Sequence, residues 1–161
     1  MLQRVVDVRD SEVRAMLLSC LYFFAILSAW FIMRPIREQM GVAGGTQNLP
    51  WLYTGTLVAT LLAHPPFAAL VARLPRQRFI TLANRFFLVN ILIFFAIFQI
   101  AEESQLVWVG RVFFVWTSVF SLFVTSVFWS FMVDTWRIDQ GKRLFGFIGF
   151  GGTLGGIAGA A

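Results

Sequence analysis

The sequence predicts an all-α membrane protein of about five transmembrane helices, and three observations predict it. Of 161 residues, 58% are apolar and 13% charged, where a soluble domain has roughly 45–50% and about 25%. The 19 Phe residues exceed what one small core can bury, so lipid must receive much of the apolar surface. The charges fall in short clusters that separate uncharged runs long enough to cross a bilayer, and Lys and Arg gather in every second interval. Disorder, collagen and a disulfide scaffold are excluded by the same composition, and the single cysteine, Cys20, can form no intrachain disulfide. The net charge of +5 does not imply nucleic acid, because the basic residues do not line one polar face.

Each span follows from the charge map. Residues 1–14 form a cytoplasmic N-terminal segment, and residues 15–33 are uncharged, so the first span covers about 15–36. At 1.5 Å per residue such a run crosses a hydrocarbon core. The stretch MGVAGGTQNLP (40–50) is Gly-rich and polar enough to be a loop before a second span over 51–72. The third covers 79–101 and carries only Arg85, near enough to its end to snorkel to headgroups. Glu102 and Glu103 interrupt the apolar sequence before a long fourth span, 106–133, in which Arg111 is the only charge. The last, 144–161, is uncharged and Gly-rich.

Orientation follows from the positive residues. One side receives Arg4, Arg9, Arg14, Arg73, Arg76, Arg78, Arg137, Lys142 and Arg143; the other receives Arg34, Arg37 and Arg111 beside Glu38, Glu102 and Glu103. The first side is cytoplasmic by the positive-inside rule, so the N-terminus is inside; the membrane expected is the cell's inner (plasma) membrane. A cleaved signal peptide does not fit, because no small-residue cleavage site precedes Arg34 and further spans follow.

The interruptions carry the candidate chemistry. Arg34-Pro35-Ile36-Arg37-Glu38 closes the first span, and on a continued helix positions 34, 37 and 38 share a face. Either Pro35 frays the helix and the arginines anchor at the outer interface, or the span is longer and the pair lines an aqueous cavity for carboxylate or phosphate. With Arg111 these form the expected substrate-binding set: Arg34, Arg37, Glu38 and Arg111. His64-Pro65-Pro66 predicts a kink in the second span, since two residues lack an N–H. Arg73, Arg76 and Arg78, together with Asp134 at the end of the fourth span, form a topology-setting or gating group. In the fourth span Thr117, Ser118, Ser121, Thr125, Ser126 and Ser130 stand among aromatics, with 118, 121 and 125 at helical spacing. Such a stripe packs on another helix or walls a substrate path. Gly151, Gly155 and Gly159 repeat every fourth residue, a small-xxx-small pattern for close helix packing. GFGGTLGG lacks the features of a phosphate-binding loop or dinucleotide fingerprint. No metal-ligand cluster, nucleophile elbow or carboxylate pair is present in the sequence, so neither an enzyme nor a cofactor is expected.

Three stretches, YFFAILSAWFIMRPIREQMG (22–41), SVFSLFVTSVFWSFMVD (118–134) and QGKRLFGFIGFGGTLGGIAGA (140–160), resemble the N-terminal part of a major facilitator superfamily transporter. The likeness is narrowest to bacterial members grouped with ATP/ADP-translocase-type nucleotide carriers. The superfamily's loop G-x-L-a-D-R-x-G-R-R finds a counterpart in ALVARLPRQR (69–78), with Ala72 in place of the Asp and Pro75 in place of the Gly. The resemblance implies a twelve-span carrier of two six-helix bundles around a central cavity, of which these residues would be an incomplete N-terminal bundle. A C-terminal half or a partner chain would then complete the pathway.

The expected function is therefore a secondary transporter that moves a small anionic solute, nucleotides and phosphate-bearing compounds included, by alternating access. The partners expected are the lipid bilayer and the solute. Transport of a neutral or cationic solute, and a non-transporting membrane scaffold, are the alternatives.

Overall fold

The computed structural model of the chain describes residues 10–161; Arg4, Arg9 and the remainder of the segment before residue 10 lie outside the described residues. Those described are all-helical and contain no strand. The helices are α1 (Asp10–Ala43), α2 (Leu49–Arg73), α3 (Arg76–Ile100), α4 (Glu103–Thr135) and α5 (Ile138–Ala160), with one 3-10 turn at Thr46–Asn48.

The connections are shorter than the charge map implies. α1 runs through Pro35 to Ala43, seven residues beyond the expected end of the first span. Pro35 deprives the Phe31 carbonyl of its helical donor, but contacts to α4 hold the next two turns: a Cβ on Gly110 would lie 3.1 Å from the Met40 Cβ, and Gly41 abuts Phe114. Gly45, at φ 93°, then turns the chain, a conformation that glycine adopts without Cβ strain. α2 and α3 are separated only by Leu74 and Pro75, so Arg73 and Arg76 occupy helix ends instead of a loop. Glu103 stands in the first turn of α4, where a carboxylate suits the helix dipole. α5 begins at Ile138 and takes in Asp139, Lys142 and Arg143, residues compatible with a helix that starts in the polar interface.

Among the described residues, four segments are long and apolar enough to cross a membrane: Glu12–Ala43, Thr46–Arg73, Gln77–Ile100 and Glu103–Thr135. The fifth expected span, 144–161, falls in α5, which forms as a helix but is not among these four; eight glycines and three charges lie along it. α2 and α3 turn large apolar side chains outward, including Leu61, Leu62, Phe86, Leu92 and Phe95, each at least half exposed. A continuous apolar exterior of this kind suits hydrocarbon.

The chain divides into two compact units, Met1–Ile32 with Phe128–Ala161, and Met33–Val127. In the first, α5 lies parallel to α1. Added Cβ atoms on Gly151 and Gly159 would come within 2.7 Å of the Cys20 carbonyl and 2.5 Å of the Ser28 carbonyl, and one on Gly155 would strike the Phe24 carbonyl. The register of 151, 155 and 159 on 20, 24 and 28 is small-xxx-small packing, and Ser28 Oγ donates to the Gly155 carbonyl at 3.0 Å. Phe23 stacks on Phe128 at 4.4 Å, which seats the end of α4 against α1.

In the second unit α4 is the central element, with Phe113, Phe114, Thr117, Phe120, Phe123 and Val124 buried. α3 is antiparallel to it, through Phe87 against Phe120 at 4.9 Å and Phe94 against Phe113 at 5.1 Å. α2 is parallel to it, through Tyr53 against Phe114 at 5.5 Å and Phe67 against Phe123 at 4.4 Å. These directions are the ones successive membrane crossings require.

Candidate functional site

Arg37 stands inside the second unit on the part of α1 that continues past Pro35. Its side chain is only 11% exposed. Nε donates to Ser118 Oγ at 2.9 Å, the guanidinium carbon lies 3.9 Å from the centre of the Phe114 ring, and Nη1 pairs with Glu38. Ser118 is oriented in turn, because its hydroxyl donates to the Phe114 carbonyl at 2.8 Å. The guanidinium is thus fixed on one edge by a hydroxyl and on one face by an aromatic ring, worth together about 2–4 kcal/mol for a charged hydrogen bond and a desolvated cation–π contact. Nη2 has no protein acceptor among the described residues. Glu38 is 49% exposed, so the counter-charge lies on the open side of the pair.

Register gives the position along α4. Ser118 is the sixteenth of the 33 residues of α4, so Arg37 meets that helix at its midpoint. It is seven residues beyond Arg111, about 10 Å along the axis. A charge at that level needs a partner, water or a substrate.

The other members of the expected set are placed differently. Arg34 is exposed, one turn before Arg37. Arg111 sits against Gly44, with its guanidinium 4.6 Å over the Trp108 ring, and has no contact with Arg37. It lines an open groove of about 600 Å³ between α2 and α4, whose other walls include Trp51, Gly55, Ala59, Ala63, Val115 and Val119. Arg73 and Arg78 are exposed beside the α2–α3 connection, and the side chain of Arg76 lies outside the described residues. Arg78 and Arg85 border a smaller groove of about 400 Å³ with Thr81 between them. Asp134 is exposed near the end of α4, in the first unit. α2 stays helical through His64, Pro65 and Pro66; His64 is exposed, with its ring 6.4 Å from that of Phe123.

Of the hydroxyl stripe, Thr117, Ser118, Ser121 and Ser126 all donate to carbonyls of α4 itself, and Ser118 also accepts from Arg37 of α1. A polar cluster in the first unit has no counterpart in the sequence reading. Glu12, 5% exposed, accepts from Gln140 Nε2 at 2.6 Å and pairs with Arg143 at 3.6 Å. Gln140 Oε1 accepts the Arg137 N–H at 3.0 Å. The available signal is positional: Glu12 and Arg143 border the first and fifth apolar runs, and odd-numbered runs begin on the same side.

Comparison of the chain with protein-family models, curated proteins and solved structures returned no match.

Proposed function

We propose that this chain forms part of a secondary membrane transporter that moves a small anionic solute by alternating access. The observation that carries the reading is the depth and presentation of Arg37. A guanidinium held at the middle of α4 by Ser118 and Phe114 keeps free N–H donors and a half-exposed counter-ion, and an incoming carboxylate or phosphate can replace Glu38 on it. An arginine serving only as an interfacial anchor would reach headgroups at a helix end. Nucleotides and other phosphate-bearing compounds are the solutes that the sequence resemblance favours, within a major-facilitator-type fold in the inner membrane, N-terminus inside. Further membrane helices, from the same polypeptide or a partner, would line the opposite wall of the path.

A scaffold without transport draws its support from the glycine repeat. That repeat is seated on α1 of the same chain, which leaves the surface less suited to subunit contact.

Uptake of labelled nucleotides, phosphate esters and dicarboxylates by cells expressing the full-length protein tests the proposal. Arg37→Gln is expected to lower anion uptake by roughly tenfold or more at unchanged surface abundance. Wild-type uptake confined to neutral or cationic solutes and indifferent to Arg37→Gln would overturn it.

A further inference from the structure

We propose that the groove between α2 and α4 is a lipid site that takes one acyl chain of an anionic phospholipid, with the phosphate on Arg111. The groove is polar at one end only. There Arg111 lies over Trp108, with no carboxylate partner among the described residues. Trp51 and Trp108 line the same end and are 76% and 67% exposed, in the position of indoles at a headgroup boundary. Beyond them the walls are apolar. Gly55, Ala59 and Ala63 leave one wall without bulk, and Val112, Val115 and Val119 face them from α4.

Direction and length agree with a lipid. α2 and α4 are parallel, so both begin at the charged end of the groove. From Trp51 to Ala63 is twelve residues, about 18 Å of helix, close to one leaflet of a core roughly 30 Å thick. A cation at the headgroup level followed by one leaflet of smooth apolar wall is complementary to a phosphate and its chain. Neither a free anion nor a wholly apolar helix uses both parts. The site is separate from Arg37, which contacts Ser118 about 10 Å further along α4.

The test is lipid retention. The full chain is reconstituted in vesicles of phosphatidylglycerol and phosphatidylcholine in equal amounts, extracted into mild detergent, and read by native mass spectrometry. Retention of phosphatidylglycerol over phosphatidylcholine by roughly tenfold is expected for the wild type, on the strength of one charged hydrogen-bonding contact. Arg111→Gln is expected to abolish the preference, and Arg111→Lys, which keeps a point charge for phosphate, to retain most of it. Ala59→Leu fills the groove and is expected to reduce retention of both lipids. Equal retention of the two lipids by the wild type, no retained lipid of either kind, an unchanged preference in Arg111→Gln, or release of the lipid by glycerol phosphate would each overturn the proposal.

Discussion

Glycines of α5 differ sharply in what surrounds them, although the sequence presents them as one pattern. Gly155 has the Phe24 backbone against it, whereas Gly149 has nothing within 4 Å. Gly155→Ala is expected to cost about 1–3 kcal/mol as the backbones are forced apart, which lowers the apparent melting temperature in detergent by several degrees. Gly149→Ala, which adds only helix propensity, is expected to leave it unchanged or raise it. A second contrast lies at Glu12. Glu12→Ala strips Gln140 and Arg143 of a shared acceptor and is expected to cost about 1–3 kcal/mol, while Glu12→Gln keeps one hydrogen bond and loses less. The same thermal scans decide it, and equal losses for the two variants would remove the carboxylate from the account. The spacing of Gly151, Gly155 and Gly159 was readable in advance; that Gly149 is open was not, because a repeat shows which residues share a face and not which partner covers it.

Among the elements, α1 differs most from its sequence pattern. The uncharged run ends at Met33, and Pro35 with three charges looks like a terminus. The helix nevertheless continues for two turns, because Met40 and Gly41 fit against Gly110 and Phe114 and because Arg37 finds Ser118. That register has a direct consequence. In a Cys20→Ser background, Met40→Cys with Gly110→Cys is expected to form a disulfide on mild oxidation, since the two Cβ positions lie within bonding reach. Met33→Cys with Gly110→Cys, displaced by two turns or about 10 Å, is expected not to. Gel mobility with and without reductant distinguishes them, and cross-linking of the second pair alone would refute the register. In α2 the reverse holds. Pro65 and Pro66 mark a site of strain in the sequence, yet α2 stays helical through both, as flanking turns can re-satisfy the freed carbonyls.

At the level of the whole chain, the alternation of helix directions agrees with the alternation of positive charge. α1 and α5 are parallel, as are α2 and α4, while α3 opposes α4. If the basic α2–α3 connection is cytoplasmic, an impermeant maleimide applied to intact cells is expected to label Gln47→Cys and to spare Gln77→Cys, again in a Cys20→Ser background. The opposite pattern would invert the proposed topology. Composition and 1.5 Å of rise per residue made five helices legible in the sequence, and made legible that several of them are long and apolar enough to cross a membrane. Tertiary structure decided where each interruption sits. Arg37 and Arg111 read alike as lone cations bordering apolar runs, but the antiparallel fit of α1 on α4 carries Arg37 to the middle of the fourth helix and leaves Arg111 at the mouth of a groove. Depth in a bilayer is a property of the register between helices, and no single run of residues encodes it.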